Sequence, residues 1–102
     1  MHKRLLLLAE KHYSNNEFDA AKECYTSAIS AAIEHKFLND AALSHEHYGR
    51  FLLETGDLHA SLEHFIASHE KYSEWGAIGK ANQLFRYINE KFSHHLMGNG
   101  TV

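Results

Sequence analysis

The sequence predicts an all-α domain of about five helices, arranged as antiparallel hairpins that stack on one another. Three observations predict it. The 102 residues include no proline, and the glycines fall only at 49, 56, 76, 79, 98 and 100, so long helices meet few breakers. Helical spacing recurs, as in Leu5, Leu8, Ala9 and His12 at i, i+3, i+4 and i+7. Finally, the stretch NNEFDAAKECYTSA at 15–28 is matched forty residues later by TGDLHASLEHFIAS at 55–68. Glu17 matches Asp57, Phe18 matches Leu58, Ala20 matches Ala60, Ala21 matches Ser61, Glu23 matches Glu63 and Tyr25 matches Phe65.

Each element has its own signal. A first helix is expected over about 3–14, with the stripe just given. A second spans about 17–36, where Phe18, Ala21, Tyr25 and Ala28 keep the period; Asn15 or Asn16 caps it and Glu17 suits its first turn. Asn39 and Asp40 offer the cap of a third helix over about 40–55. Gly56 suits the left-handed position after that helix, and Asp57 caps a fourth over about 58–74. Gly76 then separates a fifth over about 77–94, and 96–102, which ends in MGNGTV without periodicity, reads as a flexible tail. Residues 1–95 thus make one domain, with repeat one at 3–36, repeat two at 40–74 and a final helix at 77–94.

The totals exclude several classes. With 44% apolar and 23% charged residues the chain is globular rather than disordered. A net charge of −3 with interspersed signs leaves no footprint for nucleic acid. The apolar run from Leu5 to Ala9 is too short for a signal-peptide core or a membrane span. The lone Cys24 forms no internal disulfide, which suits a reducing, cytoplasmic setting; it reads as a small, half-buried thiol.

The repeat can be aligned helix by helix. The first helix of each pair carries Leu5, Leu8, Ala9 and His12, then His45, Tyr48, Gly49 and Leu52, and the last helix continues with Phe85, Ile88, Asn89 and Phe92. Ala9 precedes Ala21 by twelve residues, as Gly49 precedes Ser61. Small residues at these facing positions let two antiparallel helices approach, with Tyr25 and Phe65 among the large residues that interdigitate around them. One hairpin cannot bury its own apolar face, so it stacks on the next.

This pattern resembles tetratricopeptide (TPR) repeats. The resemblance rests on the small residue of each first helix (Ala9, Gly49), the NNEFDAA and TGDLHAS stretches, and the aromatic of each second helix (Tyr25, Phe65). It covers 3–74 as two repeats and 77–94 as a lone final helix. It departs in the forty-residue period, in the missing closing proline and in Asn89, which replaces the small residue. The resemblance implies a fragment of a right-handed α-solenoid. More narrowly, residues 48–84 resemble a helical segment of large multidomain signalling ATPases, where it lies between an ATPase module and sensor or kinase modules.

In a stack of that kind the faces opposite the core stripe line a concave groove: Leu6, Glu10 and Tyr13, then Glu46, Arg50 and Leu53, then Arg86, Glu90 and Ser93, with Leu43 as a further apolar anchor. The rows Glu10–Arg50–Glu90 and Leu6–Glu46–Arg86 either contact a ligand or bridge neighbouring helices. The Lys, Arg and Asn clamp with which some TPR domains hold a peptide carboxylate is absent, since Leu6, Glu10 and Glu90 stand at matching positions. Leu5, Leu6, Leu7 and Leu8 run right round the first helix, which expects neighbours on every side. A preceding repeat of a longer protein supplies them, or a second copy in a homodimer.

No phosphate loop, H-E-x-x-H, C-x-x-C or nucleophile elbow occurs, so the chain reads as non-catalytic, without cofactor or metal. Of its ten histidines, His45 and His47 diverge on a helix, His59 pairs only with Glu63, and His94–His95 lie at a frayed end. His12 and His45 are either satisfied core-edge residues or part of a pH-sensitive packing surface, because burial lowers a histidine pKa. The expected function is a protein–protein interaction or scaffold module, holding a partner segment or a neighbouring domain in the groove. The alternative is a structural spacer or homo-oligomerisation element acting through the leucine-rich first helix.

Overall fold

The computed structural model describes residues 2–98, with side chains over 4–93. Five α-helices follow one another: α1 (His2–Ser14), α2 (Phe18–Glu34), α3 (Leu38–Thr55), α4 (Leu58–Trp75) and α5 (Ile78–Gly98). Among the described residues there is no strand. α5 continues past the expected end at 94, through Met97 and Gly98 of the stretch read as a tail; 99–102 lie outside the described residues.

All four junctions share one geometry. A single left-handed residue closes each helix: Asn16 (φ 62°), Lys36 (φ 60°), Gly56 (φ 97°) and Gly76 (φ 92°), spaced twenty apart. Its N–H donates to the carbonyl three residues back, and the next N–H donates to the carbonyl five back, as in Gly76 to Ser73 (3.1 Å) and Ala77 to Tyr72 (2.9 Å). The following residue already belongs to the next helix, so only two or three residues separate successive helices.

This corrects the capping expected from sequence. Asn16 closes α1 instead of opening α2, whose N-cap Glu17 makes no side-chain capping bond. α3 starts at Leu38 after Phe37, leaving Asn39 and Asp40 inside its first turn. Lys36 is left-handed without the glycine or asparagine that usually marks the position, because the turn geometry overrides local preference. Asp57 does cap α4, its Oδ1 accepting from the Ala60 N–H at 3.3 Å.

Each helix packs on the one before it and the one after it, and α1 also touches α3. The molecule measures 44 × 34 × 18 Å, its thinnest direction matching two interdigitated helix layers. Two clusters make the core. Ala9, Ala21, Tyr25, Ile29, Tyr48, Phe51 and Leu52 join α1, α2 and α3, while Ala42, Phe65, Tyr72, Ala81, Leu84, Ile88 and Phe92 join α3, α4 and α5.

α3 lies between the two clusters and is buried nearly all round, down to Ser44, His45 and Glu46. It has the neighbours that the leucine run led us to expect for α1. On α1 itself, Leu5 and Leu6 are half-buried, whereas Leu7 and Leu8 are 73% and 39% exposed. The stripe of α5 is likewise revised to Ala81, Leu84, Ile88 and Phe92. Phe85 is 54% exposed and Asn89 is exposed, because none of the described helices covers that side.

The α3–α4 contact is the tightest. Ser61 Oγ donates to the Gly49 carbonyl and Ser68 Oγ to the Ala42 carbonyl, both at 2.6 Å. A methyl group on Gly49 would stand 3.2 Å from three atoms of the Phe65 ring. Such approach needs a small residue on each side.

Candidate functional site

α1, α3 and α5 line one side of the molecule, and three adjoining cavities run along it. The first, about 360 Å³, is walled by Leu6, Leu7, Glu10 and His47. Glu10 and His47 also border the second, about 160 Å³, with Tyr13, Tyr25, Arg50, Phe51 and Glu54. Arg50 then leads into the third, about 170 Å³, with Glu46, Lys80, Gln83, Leu84 and Tyr87. Shared walls make these one groove, apolar at α1 and polar towards α5.

Its carboxylates tether the helices. Glu10 of α1 accepts from the Tyr25 hydroxyl of α2 and from His47 Nδ1 of α3 at 2.7 Å. The Tyr13 hydroxyl of α1 donates to Glu54 of α3. Glu46 is buried on α3 and accepts from the Tyr72 hydroxyl of α4 (2.9 Å), Arg50 (3.4 Å) and Lys80 of α5 (3.4 Å). The phenols answer to these charges. The hydrogen bond to Glu54 pushes Tyr13 up to about 12, and burial followed by Glu10 raises Tyr25 further. Burial, then the charge of Glu46, raises Tyr72. All three stay donors at neutral pH.

The groove differs from the expected rows. Leu6 and Tyr13 border it but also pack on the first core cluster, and Leu53 packs on the second. Glu46 is committed to three internal partners. Leu43 is half-buried and is not among the lining residues. Arg86 and Glu90 are exposed and do not reach the groove. The reason is positional: Leu6 and Glu10 face the following odd-numbered helix, and none of the described helices stands in that place for α5. α5 presents Lys80, Gln83 and Tyr87 to α3 instead. These three, with His47 and Glu54, escape a forty-residue alignment, which treats every odd helix as having both neighbours.

Other expected residues fall as follows. Ala9, Ala21 and Tyr25 are buried in the first cluster, Phe65 lies in the second, and Gly49 meets Ser61 between α3 and α4. Cys24 is half-buried. Among the described residues no three His, Cys, Asp or Glu side chains converge as metal ligands. His59 lies 3.9 Å from Glu63 on an exposed face, and His94 and His95 are outside the described side chains. No helix of the described residues is long and apolar enough to cross a membrane.

Comparison with protein-family models, with curated proteins and with solved structures finds no match to this chain.

Proposed function

We propose that the chain is a TPR-like interaction module that holds an extended partner segment in the groove of α1, α3 and α5. The observation that carries this reading is the run of three cavities joined by Glu10, His47 and Arg50. Binding grooves combine apolar walls with a few fixed polar groups, and this one offers leucines at one end and Arg50, Lys80, Gln83 and Tyr87 at the other. The twenty-residue spacing of the left-handed turns supports a repeating stack, whose right hand is what the TPR resemblance implies. In this reading the module serves as a non-catalytic scaffold or relay between domains of a larger cytoplasmic signalling protein.

The test uses peptides selected from a displayed random library. Selected binders should protect amides of α1, α3 and α5 from exchange. On Gln83→Glu, at an exposed wall residue outside the core, they should lose at least about tenfold in affinity, near 1.4 kcal/mol. Binders that protect only α2 and α4 would remove the groove from the proposal.

One observation favours a second reading, self-association through α1: the exposure of Leu7 and Leu8. Leu7→Lys with Leu8→Glu charges that face together with one wall of the groove's apolar end, whereas a charge at Leu6 would also strike the core. Light scattering across a concentration series should then show a dimer that the double variant dissolves. A monomer at every concentration ends this reading.

A further inference from the structure

We infer that His45 and His64 form an acid-sensitive latch between α3 and α4, because the packed hairpin cannot hold both rings protonated. Their Nδ1 atoms lie 3.0 Å apart, with ring centroids at 5.2 Å. His45 is 8% exposed and His64 is half-buried under the Tyr48 ring, 4.5 Å away. On either side of the pair, one helical turn away, stand the 2.6 Å contacts of Ser61 with Gly49 and of Ser68 with Ala42. The helices cannot part to relieve strain at the rings without breaking these bonds.

Two Nδ1 atoms share a hydrogen bond only if one ring carries a proton there and the other offers a lone pair. A first added proton can sit on the far nitrogen of the donor ring and leave the bond intact. A second must land on the accepting Nδ1, and two N–H groups then point at each other between two cations. The neighbouring charges come from α4: Lys71, which adds to the repulsion on His45, and Glu63, which opposes it weakly on His64. From α3 the titratable neighbour is Tyr48, with Asp57 at the head of α4 acting on its phenol. From α2, Tyr25 and Cys24 lie in the cluster around Tyr48. His12, half-buried on a different helix and paired with Glu17, takes no part.

Burial, the His64 charge and Lys71 together hold His45 down to about 4, and burial lowers His64 as well. Both folded values lie below the unfolded one. The unfolded chain therefore binds more protons, and stability is complete above about pH 6.5 and drains away as the pH falls towards 4.

Urea unfolding at pH 7.5 and 5.0 tests this on the whole chain, its His45→Asn and His64→Asn variants and the double variant. Asparagine keeps a hydrogen-bonding group near the Nδ1 position and does not titrate. His45 alone should raise the unfolding constant about 30-fold between the two pH values. The double variant should lack at least that share of the response. An equal pH response in wild type and double variant overturns the latch. Should the variants fail to fold, the ring proton resonances of the ten histidines in the wild type decide. A ring that stays unshifted between pH 7.5 and 5.5 upholds the latch, and all ten rings shifting over that range in the folded protein overturns it.

Discussion

Gly49→Ala should destabilise the protein, although alanine is the better helix former. In isolation the exchange favours a helix interior by about 1 kcal/mol. Here the new methyl would meet Cγ, Cδ1 and Cε1 of Phe65 at 3.2 Å. That ring is 0% exposed and held at 5.3 Å from Tyr87 and 5.9 Å from Phe92, so it has nowhere to retreat. Overpacking of this kind costs about 1–3 kcal/mol. α3 must also stay close enough for Ser61 to reach the Gly49 carbonyl at 2.6 Å. The net loss is about 1 kcal/mol, or about 4–8 °C in Tm for a domain of this size. Gly79→Ala is the control, since nothing lies within 4 Å of its added methyl. It sits in the first turn of α5 and should gain up to about 1 kcal/mol. Urea unfolding of both, followed by circular dichroism, makes the comparison. In a Phe65→Leu background the Gly49→Ala penalty should shrink, a coupling the double-mutant cycle reads directly. If Gly49→Ala stabilises as much as Gly79→Ala, the close α3–α4 approach is not the constraint argued above.

Lys36→Gly should stabilise the chain by about 0.5–1 kcal/mol in the same assay, because glycine removes the left-handed cost at φ 60° and spends only part of that gain on unfolded-chain entropy. Replacing Glu46 by Ala should cost about 2–4 kcal/mol, since it strands the Tyr72 hydroxyl and two cations around a buried position. Arg50→Ala, at a side chain 46% exposed, should cost under about 1 kcal/mol; equal losses at 46 and 50 would refute the ranking. Tyr72→Phe should cost about 1 kcal/mol, measured by the same unfolding curves.

Much of this architecture is legible in the chain. Five helices follow from the 3.6-residue period and the absence of proline, and Gly56 and Gly76 mark two junctions outright. Asn16 and Lys36 hide the other two, although a twenty-residue count back from Gly56 would have found them. A similar count exposes the histidine latch. Antiparallel neighbours keep a constant sum of residue numbers, and the facing pairs 49 with 61 and 42 with 68 both give 110. Applied to His45, that register points to residue 65, one position from His64. The groove was less accessible, because its lining depends on which helices have a neighbour and on which side.

By itself the sequence determined helix number, approximate boundaries and the small-residue pairs, since these depend on local period, turn chemistry and spacing within one hairpin. Only the tertiary structure decided that α3 is the buried helix while Leu7 and Leu8 of α1 are exposed, that Glu46 is an internal tether, and that Lys80, Gln83 and Tyr87 reach the groove in place of Arg86 and Glu90. Two helices with similar stripes acquire different surroundings from the helices packed on them, and the local period carries no mark of those partners.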